Sequence, residues 1–392
     1  MTDPTFPNNE IGIDTGELYS EAISLLKQAA NELGNIHRTK DFAMWRDETK
    51  SRLAAALSMV EPFATYKHAQ TLRCNGDNFD AMSRLGDWAV TCLVKKLSPE
   101  NIVNSFVDEA DRNSAVYIET SPVLGVQIDE TTMLDKGVCI EAMPTETIDR
   151  ALFYSHFPKL FSFFGTSLLK QDYFAAPAFH PNPPGEMEGH HASPDLNARQ
   201  SVRENVRLAC VVASSGPVEI HSSLQVPKYL GLFVEPPASS DIEGFECSVV
   251  KGTDIQNAYS GIVSFPDKEI MIRAINRLGR SRLADSPIDR SLELGIAAEI
   301  LLMHDHSSSN TEITYKISTR AGWLIGSTSN ERRSIFDEMK ALYHARSQAV
   351  HLGKLSSVAK VDLDAADTLV SRVIKALLER GCFPDWTSLV MG

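Results

Sequence analysis

The chain lacks a run of apolar residues long enough to cross a membrane. No stretch of about 18 consecutive apolar residues occurs among its 392 residues, so we expect no transmembrane helix. The first 17 residues, MTDPTFPNNEIGIDTGE, are polar and acidic and have neither the basic nor the apolar segment of a signal peptide. Together these absences predict an intracellular, cytoplasmic protein with no membrane partner.

Cysteine and the common catalytic motifs are also scarce. The six cysteines are scattered without a C-x-x-C pair, which excludes a cysteine-built zinc site and fits reduced thiols. There is no P-loop, no G-x-G-x-x-G and no G-x-S-x-G, so nothing indicates a nucleotide fold or a hydrolase elbow. We interpret His190 and His191 as solvated loop residues, and His304 and His306 as residues at a helix C-terminus. We therefore expect no metal and no cofactor.

The charge of the chain is unevenly distributed. With 38 basic and 51 acidic residues the net charge is −13, which argues against a surface that is broadly coated with nucleic acid. Residues 267–392 hold 17 basic and 16 acidic groups (+1), whereas the other 266 residues hold 21 and 35 (−14). This contrast predicts a domain boundary near residue 266. No basic helix, zinc finger or helix-turn-helix motif indicates DNA binding.

Hydrophobic periodicity divides the chain into three regions and predicts an α+β multidomain protein. Residues 1–100 form an N-terminal helical region in which apolar residues recur at spacings of three and four. Residues 101–265 form a β-rich α+β domain, and residues 266–392 form an all-α helical domain. These assignments leave the role of residues 1–265 open.

Within those regions the individual elements are predicted as follows. Strands are expected at 115–120, 123–128, 137–143, 206–215, 218–226 and 230–236, with a helix at 147–164. Helices are expected at 267–282, 286–303, 311–326, 330–353 and 362–380. The pair Ser286-Pro287 and the acidic start at Asp362 mark the beginnings of two of these helices.

The segment ALYHARSQAVHLGK, residues 341–354, carries an arginine and a histidine five positions apart, Arg346 and His351. In a chain with 21 arginines and 11 histidines this spacing is weak evidence by itself. Helical geometry predicts one apolar face that packs into the domain, formed by Ile335, Leu342, Ala345, Ala349 and Leu352. A second, half-apolar face is predicted to meet another partner, and consists of Met339, Tyr343, Arg346, Ser347, Val350 and His351.

Three segments taken in order resemble the Apea-like branch of the HEPN superfamily over about residues 267–392. They are DRSLELGIAAEILLM (289–303), TEITYKISTRAGWLI (311–325) and RRSIFDEMKALYHARSQAVHLGK (332–354). The shared positions include Asp289, Arg290 and Glu299 in the first segment, and Arg320 in the second. Two positions depart from the family pattern: Leu352 separates the histidine from the following glycine, and Ser347 stands where many HEPN nucleases carry asparagine.

The resemblance implies a helical bundle that forms a homodimer and brings two R-x4-H motifs into one cleft. Family members of this type are often metal-independent RNA endonucleases in defence or toxin systems, with Arg346 and His351 as the implied catalytic residues. Arg346 would hold a phosphate of the RNA and His351 would move a proton. Ser347 and Tyr343 would orient His351 or bind phosphate, and Glu299 would form an ion pair with Arg346. The alternative is a non-catalytic HEPN module for dimerisation or binding in a regulatory protein.

Overall fold

The computed structural model describes residues 18–36, 39–66, 70–72, 78–80, 85–110, 115–142, 167–175, 196–220, 224–227, 247–305, 312–352 and 361–391. The helix predicted at 147–164 and the strand predicted at 230–236 lie outside these residues, as do His190, His191 and His306. The described part of the chain is mostly helical, with a small antiparallel sheet in the middle.

The N-terminal region is helical, as its periodicity predicts. Its elements are α1 (Ser20–Gly34), α2 (Thr39–Leu57), a 3-10 turn (Phe63–Tyr66), the short strands β1 (Gln70–Leu72) and β2 (Asn78–Asp80), α3 (Leu85–Val94) and α4 (Pro99–Ala110). Their apolar faces enclose a core of their own. At its centre the rings of Phe63, Trp88 and Phe106 pack at centroid separations of 4.4 to 5.9 Å.

The central sheet is built around one long strand. Its strands are β3 (Ala115–Leu124), β5 (Thr132–Asp135), β6 (Val138–Ala142), β7 (Ser167–Ala175), β8 (Glu219–Ile220) and β9 (Leu224–Pro227). The order is β5-β6-β7-β3-β8, and β9 also pairs with β3. Every pairing in this sheet is antiparallel, with Val123 opposite Ser167. A separate parallel pair joins β4 (Val126–Gln127) to β10 (Ser248–Val249).

One prediction for the central region is wrong. Most of the segment predicted as a strand at 206–215 lies in a helix, α5 (Leu196–Ala213). A second helix, α6 (Gly252–Ser264), occupies residues for which no element was predicted. Apart from the partly exposed Arg207, the run Val206–Val212 is apolar because this part of α5 is buried between the sheet and other helices. A short apolar run of this kind is the pattern for which helix and buried strand are hardest to tell apart.

Among the described residues the C-terminal region holds six helices; the first five lie at the predicted places, and the short sixth was not predicted. They are α7 (Lys268–Leu283), α8 (Pro287–Met303), α9 (Ile313–Ile325), α10 (Ser329–Leu352), α11 (Leu363–Arg380) and α12 (Trp386–Met391). The two predicted helix starts are capped: Ser286 Oγ accepts a hydrogen bond from the Asp289 amide at 3.0 Å, and Asp362 Oδ1 accepts one from the Ala365 amide at 3.1 Å. None of the helices in the described ranges combines the length and the apolar character needed to cross a bilayer.

The helix α8 lies at the centre of this region and packs against α7, α9, α10 and α11. Its buried residue Leu294 belongs to a core that also contains Met339 of α10, Val211 of α5 and Ile140 of the sheet. Buried residues on both sides of the predicted boundary at 265–266 therefore share one core. The assignment of three domains stays a prediction.

Candidate functional site

The arginine of the R-x4-H motif is held between α8 and α10. Gly295 and Glu299 are one turn apart on α8, and both face Arg346 of α10. The aliphatic part of Arg346 lies so close to Gly295 that any side chain at residue 295 would collide with it. Its Nη2 lies 3.1 Å from Oε2 of Glu299. This ion pair is the contact expected for Glu299 from the resemblance.

The pairing leaves part of the hydrogen-bonding capacity of both groups unused. Nε of Arg346 and Oε2 of Glu299 are buried and have no hydrogen-bond partner within the part of the chain that the structure describes. The 3.1 Å contact is therefore an ion pair without hydrogen-bond alignment. The two side chains are 25% and 35% exposed, so they can be reached from solvent. Because Nε is buried, an anion would have to bind to other N–H groups of the guanidinium.

Tyr343 completes a cluster of three side chains with Glu299 and Arg346. It lies on α10 one turn before Arg346, and its ring centroid is 5.5 Å from Cζ of Arg346. Burial raises the pKa of the Tyr343 phenol, and the charge of Glu299 and a hydrogen bond to it raise it further, while Arg346 opposes the shift. The phenol therefore stays neutral and remains a hydrogen-bond donor at physiological pH.

His351 and Ser347 do not join this cluster in the same way. Ser347 follows Arg346 and is half-buried, whereas His351 is exposed in the last turn of α10. Five residues along a helix correspond to a rise of about 7.5 Å and a rotation of about 140°. Within one chain, Arg346 and His351 therefore point in different directions.

The two predicted faces of α10 are largely but not fully correct. Ile335, Leu342 and Ala345 are buried in the core as predicted, and so is Ala349. Met339, predicted on the second face, is completely buried, because α10 packs against both α8 and α9 and a wider arc of it is covered. Leu352, predicted on the core face, is 58% exposed, because it lies in the last turn of the helix.

The other shared positions of the resemblance have structural contacts. Arg320 forms an ion pair with Asp305 at 2.7 Å and donates to the carbonyl oxygen of Leu302, which ties α9 to the end of α8. Arg290 pairs with Asp364 at 2.6 Å and links α8 to α11. These contacts give both arginines a structural role, because each one links two helices of the bundle.

The remaining candidates for metal or nucleophilic chemistry also have structural explanations. His304 is the C-terminal capping residue of α8, as predicted, and its ring stacks on Phe383 at a centroid distance of 3.9 Å. Burial raises the pKa of the Cys92 and Cys210 thiols to about 12, so neither forms a thiolate near neutral pH. Among the described residues no group of three or more His, Cys, Asp or Glu side chains is arranged to hold a metal ion.

Gly295 is the site residue that the sequence did not single out. The available signal was a glycine inside an otherwise well-formed helix, one turn before the acidic residue assigned to Arg346. The resulting site is a half-exposed Tyr343–Glu299–Arg346 cluster, with His351 near the end of the same helix. The chain matches no protein-family model, and neither a curated protein nor a solved structure is significantly similar to it.

Proposed function

We propose that the protein is an RNA endonuclease of the HEPN type that needs no metal ion and acts as a homodimer. The observation that supports this most is the state of Arg346. Its aliphatic part packs on Gly295, its Nη2 pairs with Glu299, and 25% of its side chain is exposed to solvent, where an anion can approach. An exposed histidine, His351, lies five residues further along the same helix.

The proposed reaction uses these two residues at a phosphodiester. His351 takes the proton of a ribose 2′-hydroxyl, whose oxygen forms a new bond to phosphorus while the bond to the 5′-oxygen breaks. The leaving oxygen receives a proton from the histidine of the second copy. Arg346 holds the phosphate and stabilises the charge that develops on its oxygens. The products are a 2′,3′-cyclic phosphate and a free 5′-hydroxyl.

The directions of the two side chains support the proposed dimer. Arg346 and His351 diverge by about 140° on one helix. A phosphate held by Arg346 of one copy is therefore more easily reached by the histidine of the other copy. In this proposal Tyr343 and Ser347 line the cleft and bind phosphate or orient the histidine. Residues 1–266, which together carry a net charge of −14, serve as a sensor or regulatory part, in keeping with a defence or toxin role.

A second function is supported by a specific observation. Arg346 already has a partner within its own chain, and its stem is part of the contact between α8 and α10. An arginine of this kind also suits a non-catalytic module that mediates dimerisation or binding. In that case the half-exposed face of α10 is a contact surface and the histidine takes part in no reaction.

Incubation of the purified full chain with tRNA and mRNA in the presence of EDTA separates the two functions. We expect wild-type protein to produce fragments that end in 2′,3′-cyclic phosphate. Arg346→Ala and His351→Ala should each lower the rate by at least about a hundredfold, the usual contribution of a positioned acid or base. His344→Ala and Arg380→Ala are matched controls, because both residues are exposed on helices of the same region. No cleavage by wild type, or equal cleavage by all variants, would contradict the endonuclease proposal.

A further inference from the structure

The hairpin of α9 and α10 carries exposed aromatic rings on the side that leads toward Arg346. Tyr315 is 61% exposed and Trp323 is 37% exposed. The ring of Tyr315 meets that of Phe336 edge-on at a centroid distance of 5.7 Å. The guanidinium of Arg332 stacks over Trp323 at 3.9 Å. We call these four residues, Tyr315, Trp323, Arg332 and Phe336, the aromatic strip.

Two glycines hold one end of the aromatic strip in place. A side chain on Gly322 would approach the carbonyl oxygen of Arg332 to 3.0 Å, and one on Gly326 would approach Cγ of Arg332 to 2.7 Å. The absence of these side chains lets the start of α10 lie directly on the end of α9. Nε of Arg332 then donates to the carbonyl oxygen of Gly326 at 2.9 Å, which orients the guanidinium on the Trp323 ring. The stacked pair is thus preorganised.

On α10 the charges around the aromatic strip are segregated by sign. On α10, Arg333 and Lys340 project within about 60° of Phe336, and both are exposed. The acidic residues of α10 lie about 100 to 160° away from it; they are Glu331, Asp337 and Glu338. From residue 312 to residue 352 the chain holds six basic and four acidic residues, including the exposed Glu312 three residues before Tyr315, whereas the protein as a whole has a net charge of −13.

We infer that the aromatic strip binds single-stranded RNA and guides it to the cleavage site. This inference rests on the proposed function for the choice of RNA as substrate. Exposed rings accept stacked bases of any sequence, an arginine plane does the same, and flanking basic groups neutralise the phosphates. From Arg332 to Arg346 the helix rises about 21 Å, room for a short stretch of extended strand. Tyr343 lies on the same side of α10 as Phe336, and its ring is next to the Arg346 guanidinium. It therefore connects the aromatic strip to the proposed cleavage site.

Charge favours RNA over a second protein copy as the occupant. Two copies that met through the aromatic strip would bring Arg333 and Lys340 close to the same residues of the other chain. Like charges at a desolvated contact oppose association. A polyanion with exposed bases satisfies both the rings and the basic groups.

The test measures binding separately from cleavage. The probe is a fluorescein-labelled 2′-O-methyl oligouridine of about 12 nucleotides, which lacks the attacking hydroxyl, titrated with the full chain and followed by anisotropy. We expect Tyr315→Ala combined with Trp323→Ala to weaken binding at least about tenfold, because each lost stack is worth about fivefold or more. Arg333→Ala combined with Lys340→Ala should reduce the slope of log affinity against log salt by about 1.4.

Three further variants identify the cause of any loss. Tyr315→Phe combined with Trp323→Phe keeps the rings and should retain wild-type binding. Met59→Ala combined with Arg380→Ala removes an exposed apolar side chain and an exposed arginine outside the aromatic strip, and should change nothing. His344→Ala, which changes an exposed histidine of α10 outside the aromatic strip, should bind the uncleavable probe as wild type does.

The results also separate this inference from the proposed function. Wild-type binding no tighter than that of the Tyr315→Ala/Trp323→Ala variant would overturn the inference, even if the enzyme cuts RNA. Unchanged RNA binding with reduced self-association of that variant in sedimentation would overturn it too, and would assign the aromatic strip to a contact between copies. Binding that depends on the aromatic strip, without any cleavage of RNA by wild type, would support the inference while removing the endonuclease proposal.

Discussion

The backbone of Gly295 in α8 is in direct contact with the aliphatic part of the Arg346 side chain in α10. A Cβ atom placed on Gly295 would lie 2.5 Å from Cβ of Arg346, closer than any ordinary carbon contact. One turn further along α8, Glu299 meets the guanidinium of the same arginine. The missing side chain at residue 295 therefore determines how closely the two helices approach, and with it the geometry of the whole cluster.

The first prediction follows from that contact. Gly295→Ala should push α10 away from α8 and lower the free energy of unfolding by about 1–3 kcal/mol, the usual cost of overpacking a core. Urea unfolding followed by circular dichroism measures this change. Gly279→Ala is the control, because its Cβ would meet its nearest neighbour, Val211, at an ordinary 3.5 Å. We expect Gly279→Ala to be neutral or slightly stabilising, since alanine favours a helix interior. Equal effects of the two substitutions would contradict this role of Gly295.

The second prediction concerns the electrostatic link between Glu299 and Tyr343. Burial is the largest cause of the raised pKa of Tyr343, and the Glu299 carboxylate adds to it. Glu299→Gln removes that negative charge while Arg346 remains, so the pKa of Tyr343 should fall. Ultraviolet difference titration of the phenolate, with Tyr343→Phe used to identify its signal, measures the shift. An unchanged titration would show that Glu299 and Tyr343 do not interact in solution.

The third prediction is a change of stability with pH. Because the pKa of Tyr343 is higher in the folded chain than in the unfolded chain, its contribution to the free energy of unfolding is complete below about pH 10. The contribution is lost as the pH rises through the folded-state pKa. Tyr343→Phe removes the titrating hydroxyl, so the stability of the variant relative to wild type should rise above about pH 10.

Chemical unfolding of both proteins at several pH values from about 7 to about 11 checks this trend. Tyr259 is a useful comparison, because burial also raises its pKa and the nearby Asp135 adds to the shift. Tyr259→Phe should therefore show the same direction of change at alkaline pH. A difference between wild type and Tyr343→Phe that stays constant from neutral to alkaline pH would contradict the prediction.

The C-terminal helices were predictable because their signals are local. Amphipathic spacing and the residues Ser286, Pro287 and Asp362 act within one or two turns of the chain, and the helices begin and end within a few residues of the predicted positions. The segment around Val206–Val212 was not predictable in this way. Its side chains are mostly apolar because the segment is buried in the final packing. Buried strands and buried helices both show this pattern, so the pattern does not distinguish them.

In the candidate site, too, the contacts within one helix were predictable and the contacts between helices were not. Helical spacing places Tyr343, Arg346 and Ser347 near one another on α10 without any knowledge of the tertiary structure. The contact of Gly295 with Arg346 depends on where α8 crosses α10, and no pattern in either segment specifies that crossing. The exposure of Leu352 likewise depends on where the neighbouring helices end.

The last prediction concerns a buried ion pair that the sequence did not indicate. Arg282 of α7 and Asp367 of α11 form two hydrogen bonds of 2.9 Å, with side chains only 3% and 8% exposed. The same guanidinium donates to the Val211 carbonyl oxygen at 2.6 Å, so it joins α7, α11 and α5. Asp367→Ala leaves this arginine buried without its counter-ion and should lower the free energy of unfolding by about 3–5 kcal/mol.

The matched control for Asp367→Ala is Asp364→Ala, one turn earlier on α11. Asp364 pairs with Arg290, but its side chain is 87% exposed, so its loss should cost less than about 1 kcal/mol. Arg282→Met combined with Asp367→Leu removes both charges and should recover most of the stability lost in Asp367→Ala, because no unpaired charge remains buried. Urea unfolding of these variants and wild type measures each free-energy change. If Asp364→Ala and Asp367→Ala cost the same, the link between α7 and α11 does not depend on a desolvated charge pair.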